Sequence, residues 1–185
     1  MKQLYLLRHA KSSWEDATLA DIERPLAGRG RRACAALREA MERHGIAPAL
    51  VLCSAARRTQ ETLQTIAPAF SHDYMVAIER RLYLASAAEL LERVRRLEDD
   101  IPSVMLIGHN PDLQRLALLL AGGGAQEELG RLEAKFPTAA LAELAFRGAR
   151  WRDLAAGKAE FVRLITPREI EAGVKRAVTQ RSRTA

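Results

Sequence analysis

Three places in this chain set guanidinium or imidazole groups at the abrupt end of an apolar run. The first is Lys2 to Ala10, KQLYLLRHA, where a run of strand type stops at Arg8 and His9. The second is Ala49 to Cys53, followed by Ser54 and then by Arg57 and Arg58. The third, Ser103 to Ile107, runs into Gly108-His109-Asn110-Pro111. Open α/β sheets bind ligands beyond the carboxyl ends of their parallel strands, so the same chemistry at three such ends describes an anion site. One Arg-His dipeptide carries little weight in an arginine-rich chain, and the repetition is what carries the argument. Arg24 adds a fourth cation from a loop, biased to an extended conformation by Pro25. Together these groups can surround a dianion without a metal.

The elements that must position them read as alternating strands and helices. A helix carries Ala33, Leu37, Ala40 and Met41 at helical spacing and ends at His44-Gly45. Ser54 is a fitting N-cap for a second helix that buries Leu63, Ile66, Ala67 and Phe70, which puts Arg57 and Arg58 in or near its first turn. A weaker strand at Met75 to Ile78 precedes a capping-box pattern, Ser86 with Glu89, and a helix bearing Leu90, Leu91, Val94 and Leu97. Asn110 as N-cap and Pro111 at the first helical position predict a helix directly after His109, whose free amides favour an anion. Gly122 to Gly124 are expected to end that helix, with a polar connection after them. Strands at Ala140 to Phe146 and Glu160 to Ile165 pair as a hairpin, and Pro167 opens a last short helical segment. The fold expected is a three-layer α/β/α sandwich with a mostly parallel sheet. It forms one domain over residues 1–173, followed by a basic, mobile tail at 174–185.

Composition narrows the function classes. The chain has 185 residues and a net charge of +6, with 24 arginines against 5 lysines spread along its length, which favours anionic ligands. Nucleic acid is not expected as a partner: Arg93, Arg95 and Arg96 read as a solvated helix face, with no aromatic residues among them for bases to stack on. The opening apolar stretch is too short for a signal peptide and no run is long enough for a membrane span, so a cytoplasmic protein without membrane contact is expected. Cys34 and Cys53 have no metal-ligand spacing, no Walker-type loop is present and acidic ligand clusters are missing. No cofactor and no metal are expected. The oligomeric state is left open.

The motifs LYLLRHA, SxxxRxxxT at Ser54, Arg58 and Thr62, and GHNP at Gly108 to Pro111 resemble the histidine phosphatase, or phosphoglycerate mutase-like, superfamily. ERPL at Glu23 to Leu26 and KFPT at Lys135 to Thr138 resemble its small SixA-type phosphohistidine phosphatases. The resemblance spans roughly residues 1–146. It implies a metal-independent phosphatase with His9 as nucleophile, Arg8, Arg58 and His109 on the phosphoryl group, and Arg24 completing the pocket, with Asn110 a further substrate-binding candidate. Arg57 falls outside the motif. Larger members use a carboxylate to protonate the leaving group; Glu79 is the positional candidate here, with Asp21, Glu23 or no acid as alternatives. The substrate expected is phosphohistidine on a protein. The alternatives are a small phosphorylated metabolite or nucleotide, or a phosphate- or RNA-binding module without catalysis.

Overall fold

A computed structural model describes residues 1–170 of the chain. The boundary placed at residue 173 and the tail at 174–185 lie outside the described residues. Seven strands, β1 (Lys2–Arg8), β2 (Leu50–Ser54), β3 (Met75–Glu79), β4 (Ser103–Gly108), β5 (Ala121–Gly124), β6 (Leu141–Phe146) and β7 (Ala159–Ile165), form one sheet in the order β3-β2-β4-β1-β6-β7-β5. β6 runs antiparallel to both its neighbours, and the other paired strands are parallel.

Alternation along the buried strands divides the core into two layers. Leu4 and Leu6 of β1 and Val104 and Leu106 of β4 face one side, with Leu90 and Val94 of α3 (Ala87–Arg95) and Leu113, Leu116 and Leu120 of α4 (Asp112–Leu120). Tyr5, Leu7, Met105 and Ile107 face the other side, with Leu37 and Met41 of α1 (Gly28–His44) and Leu63 and Ile66 of α2 (Arg57–Ile66). Strands wetted on neither face read as continuous apolar runs, which is why β1, β2 and β4 stand out in the sequence. The result is the expected three-layer α/β/α sandwich.

This topology decides where the chemistry meets. β1 and β4 are neighbours, with Arg8 opposite Gly108, yet β1 feeds α1 on one face and β4 feeds α4 on the other. Adjacent strands whose connections leave in opposite directions open a crevice at their carboxyl ends. His9 and His109 are the first residues past those two ends. α1 packs tightly against the loop that follows His9: a Cβ on Gly30 would stand 2.3 Å from Lys11 O.

Local readings that failed did so where tertiary contacts took over. Ser54 is not the N-cap of α2; it is the buried last residue of β2, and the N-cap is Ala56, whose own side chain offers no cap. α4 begins at Asp112, one residue later than the Asn110-Pro111 reading, with Pro111 as N-cap. Gly122 to Gly124 do more than end α4: they form the edge strand β5 beside β7, where a Cβ on Gly122 would lie 1.9 Å from Gly157 O. The connection after them contains α5 (Gln126–Ala134), whose one buried side chain, Leu132, leaves too faint a periodicity to read. The hairpin of β6 and β7 is present.

Candidate active site

His9 follows β1, and its backbone is held on two sides. Its amide donates to Gly108 O at 3.1 Å, and Ala139 N donates to Arg8 O and His9 O. Ala139 has φ +59°, a left-handed conformation that a non-glycine residue adopts only under external constraint. The ring Nδ1 lies 2.7 Å from Ala10 O. A carbonyl can only accept, so Nδ1 carries the proton and Nε2 keeps its lone pair. Burial, with the nearby Arg58 and Arg8 charges, pushes His9 down to about 4 against the opposing pull of the Ala10 carbonyl. At neutral pH His9 is therefore an uncharged imidazole with a free nucleophilic nitrogen.

His109 faces it, with ring centroids 5.1 Å apart. Ser54 Oγ lies 2.9 Å from His109 Nε2, and Arg58 Nη2 lies 3.4 Å from Nδ1. Arg58 can only donate, so Nδ1 accepts and Nε2–H donates to Ser54. Burial, then the neighbouring His9 and Arg58, lower His109 to about 3. Arg58 is in the first turn of α2, and one turn later Thr62 accepts the Ala10 amide at 3.1 Å while donating to Arg58 O at 2.7 Å. The Ser54, Arg58 and Thr62 spacing thus serves three contacts: it seats His109, presents a guanidinium, and ties the helix to the residue after His9. Arg57 points elsewhere, half exposed and paired with Glu61 at 2.8 Å.

Arg8 and Asn110 converge on one backbone group. Arg8 Nη1 and Asn110 Nδ2 donate to Phe136 O at 2.9 and 3.0 Å. KFPT is therefore a brace, whose carbonyl aligns both side chains. Arg8 Nε and Asn110 Oδ1 are buried with no hydrogen-bond partner among the described residues, and burial presses the Arg8 guanidinium below its ordinary value. A buried cation in this condition is stabilised by an incoming anion.

A second cluster adjoins the first. Asp21, in a single helical turn at Asp21–Glu23, binds Arg24 Nη1 through Oδ1 at 3.0 Å and accepts Arg58 Nη2 and the Tyr83 hydroxyl on Oδ2 at 2.9 and 2.6 Å. The Tyr83 hydrogen bond first, then those from Arg58 and Arg24, hold the Asp21 carboxyl at about 2 despite partial burial. Arg24 is also anchored by Ser13 O and Ser12 Oγ, both at 2.9 Å. The Tyr83 ring meets His109 edge-on at 5.4 Å. Glu79 lies outside this network: its carboxylate takes Arg93 at 2.8 Å and Arg81 at 2.6 Å. Burial raises the Glu79 carboxyl, but those hydrogen bonds outweigh it and keep it below the usual range. Among the described residues, no hydrogen bond or ion pair joins the Glu23 side chain to the cluster.

The structure therefore brings together Arg8, His9, Arg24, Arg58, His109 and Asn110, and leaves Glu79 in an ion-pair triad of its own. The roles of Ser54 and Thr62 beside them, and of Tyr83, were not readable from the sequence. The i, i+4 spacing of Arg58 and Thr62 on α2 was the available signal. Among the described residues, no group of three or more His, Cys, Asp or Glu side chains is arranged to hold a metal ion, and no helix is long and apolar enough to cross a membrane.

Comparison with known proteins places these contacts in context. Residues 4–83 match the model of the histidine phosphatase superfamily, branch 1. An uncharacterised protein of Mycobacterium tuberculosis is 34% identical over 164 residues, covering 88% of this chain and all of that protein. Among solved structures, a candidate phosphohistidine phosphatase SixA from Nakamurella multipartitia is 28% identical with a TM-score of 0.75, covering 90% of this chain and 96% of that one. Another candidate SixA, from Agrobacterium tumefaciens, is 26% identical with a TM-score of 0.76, covering 90% and 98%.

Proposed function

Because the chain belongs to the histidine phosphatase superfamily and is a phosphatase of the SixA type, we propose that its substrate is phosphohistidine carried on a protein. The observation that carries this reading is the state of the acids. Asp21 is held ionised at about 2 by Tyr83, Arg58 and Arg24, and Glu79 is held below its usual range by Arg93 and Arg81. Neither keeps a proton at neutral pH to give to a leaving group. An alkoxide leaves poorly without that proton, whereas phosphohistidine takes a proton from solvent on its second ring nitrogen before the transfer and so leaves as neutral imidazole, a far weaker base.

In this reading His9 Nε2 attacks phosphorus. A bond from Nε2 to phosphorus forms as the bond to the substrate imidazole breaks, and the electron pair leaves on that imidazole. Water then attacks phosphohistidine-9, releasing inorganic phosphate and returning the electron pair to Nε2. Arg8 and Arg58 fork onto the phosphoryl oxygens, and Arg24 supports Arg58 through their shared partner Asp21. The arriving dianion raises the proton affinity of His109, which becomes a donor to the same group once protonated at Nδ1.

The experiment is a leaving-group series. kcat/KM is measured for a protein phosphorylated on histidine, for aryl phosphates of graded phenol acidity, and for a sugar phosphate. The expected result is a steep loss as the leaving group becomes more basic, with phosphohistidine far above the sugar phosphate. A flat series, or a higher value for the sugar phosphate, overturns the assignment. His9→Ala should abolish both turnover and an acid-labile phosphoenzyme; a label on any other residue rejects the nucleophile.

A further inference from the structure

The groups that would meet phosphorus are sunk, and two large apolar side chains linked to the neighbouring Asp21 cluster stay exposed. His9, Arg58 and His109 are 9%, 5% and 7% exposed, whereas Trp14 is 72% and Leu84 61% exposed. Trp14 connects to the site by contacts, and Leu84 by its place in the chain beside Tyr83. The Arg24 guanidinium lies 3.1 Å from the Trp14 ring centre, Arg24 bonds Asp21, and Asp21 accepts the hydroxyl of Tyr83, the residue before Leu84. Trp14 thus adjoins the Asp21 cluster through Arg24, and Leu84 adjoins it as the exposed residue next to Tyr83.

Each side chain has a property that the isolated chain does not explain. Trp14 is held on one face by a cation that is itself hydrogen-bonded to Ser12, Ser13 and Asp21, so its other face is presented to solvent in a fixed orientation. Leu84 has φ +54°, a left-handed conformation that strains a leucine by about 1–2 kcal/mol, and its side chain is not buried in return. Strained backbone and an oriented, exposed aromatic ring at the mouth of a site are what a preorganised docking surface requires.

We infer that Trp14 and Leu84 form an apolar rim onto which a folded protein docks, through an apolar patch beside its phosphohistidine. This inference rests on the substrate reading above and adds how that substrate is recognised. The net charge of +6 and the exposed Arg80, three residues ahead of Tyr83, complement an acidic surface around that patch. A small ester fills only the sunken part and gains nothing from the rim.

The test compares three substrates: an acidic folded protein phosphorylated on a surface histidine with phosphoramidate, free phosphohistidine, and p-nitrophenyl phosphate. Trp14→Ala and Leu84→Gly should each raise KM for the phosphoprotein at least fivefold with kcat unchanged. For the two small substrates kcat/KM should stay within twofold, since Arg24 keeps its other anchors and glycine relaxes the strain at position 84. Trp14→Phe should restore most of the lost affinity. An equal fall on all three substrates, or an unmoved KM for the phosphoprotein, overturns the rim while leaving the substrate reading in place. Wild-type turnover of p-nitrophenyl phosphate without turnover of the phosphoprotein overturns the substrate reading and the rim with it.

Discussion

Asp21 holds Arg58 at two points: its carbonyl accepts Nη1 at 2.5 Å and its carboxylate accepts Nη2 at 2.9 Å. The carboxylate thereby takes a guanidinium edge that a phosphoryl group also needs, so substrate must compete with an internal anion. Asp21→Asn removes the competing charge and keeps the shape. Inorganic phosphate should then inhibit about three- to fivefold more tightly, the scale expected for a pair whose carboxylate is half exposed. Weaker inhibition would mean that the carboxylate mainly orients Arg58.

Arg58→Lys should lower kcat/KM by about 3 kcal/mol of transition-state stabilisation, because an ammonium cannot reach Asp21, His109 and a phosphoryl oxygen in one plane. Arg57→Lys, affecting only the exposed pair with Glu61, should cost under about 1 kcal/mol. The ratio of the two losses, measured with one substrate, checks which arginine serves the site.

Glu79→Gln separates catalysis from stability. Its carboxylate joins β3 to α3 through Arg93, with both side chains largely buried, so the neutral variant should lose about 1–2 kcal/mol in urea unfolding. Turnover of p-nitrophenyl phosphate should change less than threefold. A loss of a hundredfold at unchanged fold would restore Glu79 as the acid.

The two buried histidines set a pH signature. Their native values, about 4 for His9 and about 3 for His109, lie below the ordinary 6.5, so below pH 6.5 the unfolded chain binds protons that the native protein refuses. Stability is therefore full above pH 6.5 and falls as pH drops towards 4 and then 3, by up to about 1.4 kcal/mol per pH unit for each histidine. Urea midpoints across this range should show the slope, and His9→Ala should reduce it. In the free enzyme, kcat/KM corrected for substrate ionisation should hold to about pH 5; an acid limb near 6.5 would place His9 in a wetter, less positive setting.

The sequence by itself located the strands and their ends, because a strand buried on both faces needs an uninterrupted apolar run and the charge that stops the run is conspicuous. Arg8, His9, Arg58 and His109 were legible for that reason, as was the alternation that yields three layers. The elements that escaped, α5 and β5, bury little of their own surface and are held by contacts with β7 and α4, so their local pattern is weak. Tertiary structure alone decided the finer chemistry. The proton on His9 is assigned by the direction of the Ala10 carbonyl, which no residue type encodes. Asp21 reaches Arg58 across 37 positions and Tyr83 reaches Asp21 across 62, so the state of that carboxylate follows from how loops cross above the sheet. Ser54 and Asn110 look like helix caps by type, yet their side chains turn to His109 and Phe136, because a buried polar group goes to whichever partner the packing supplies.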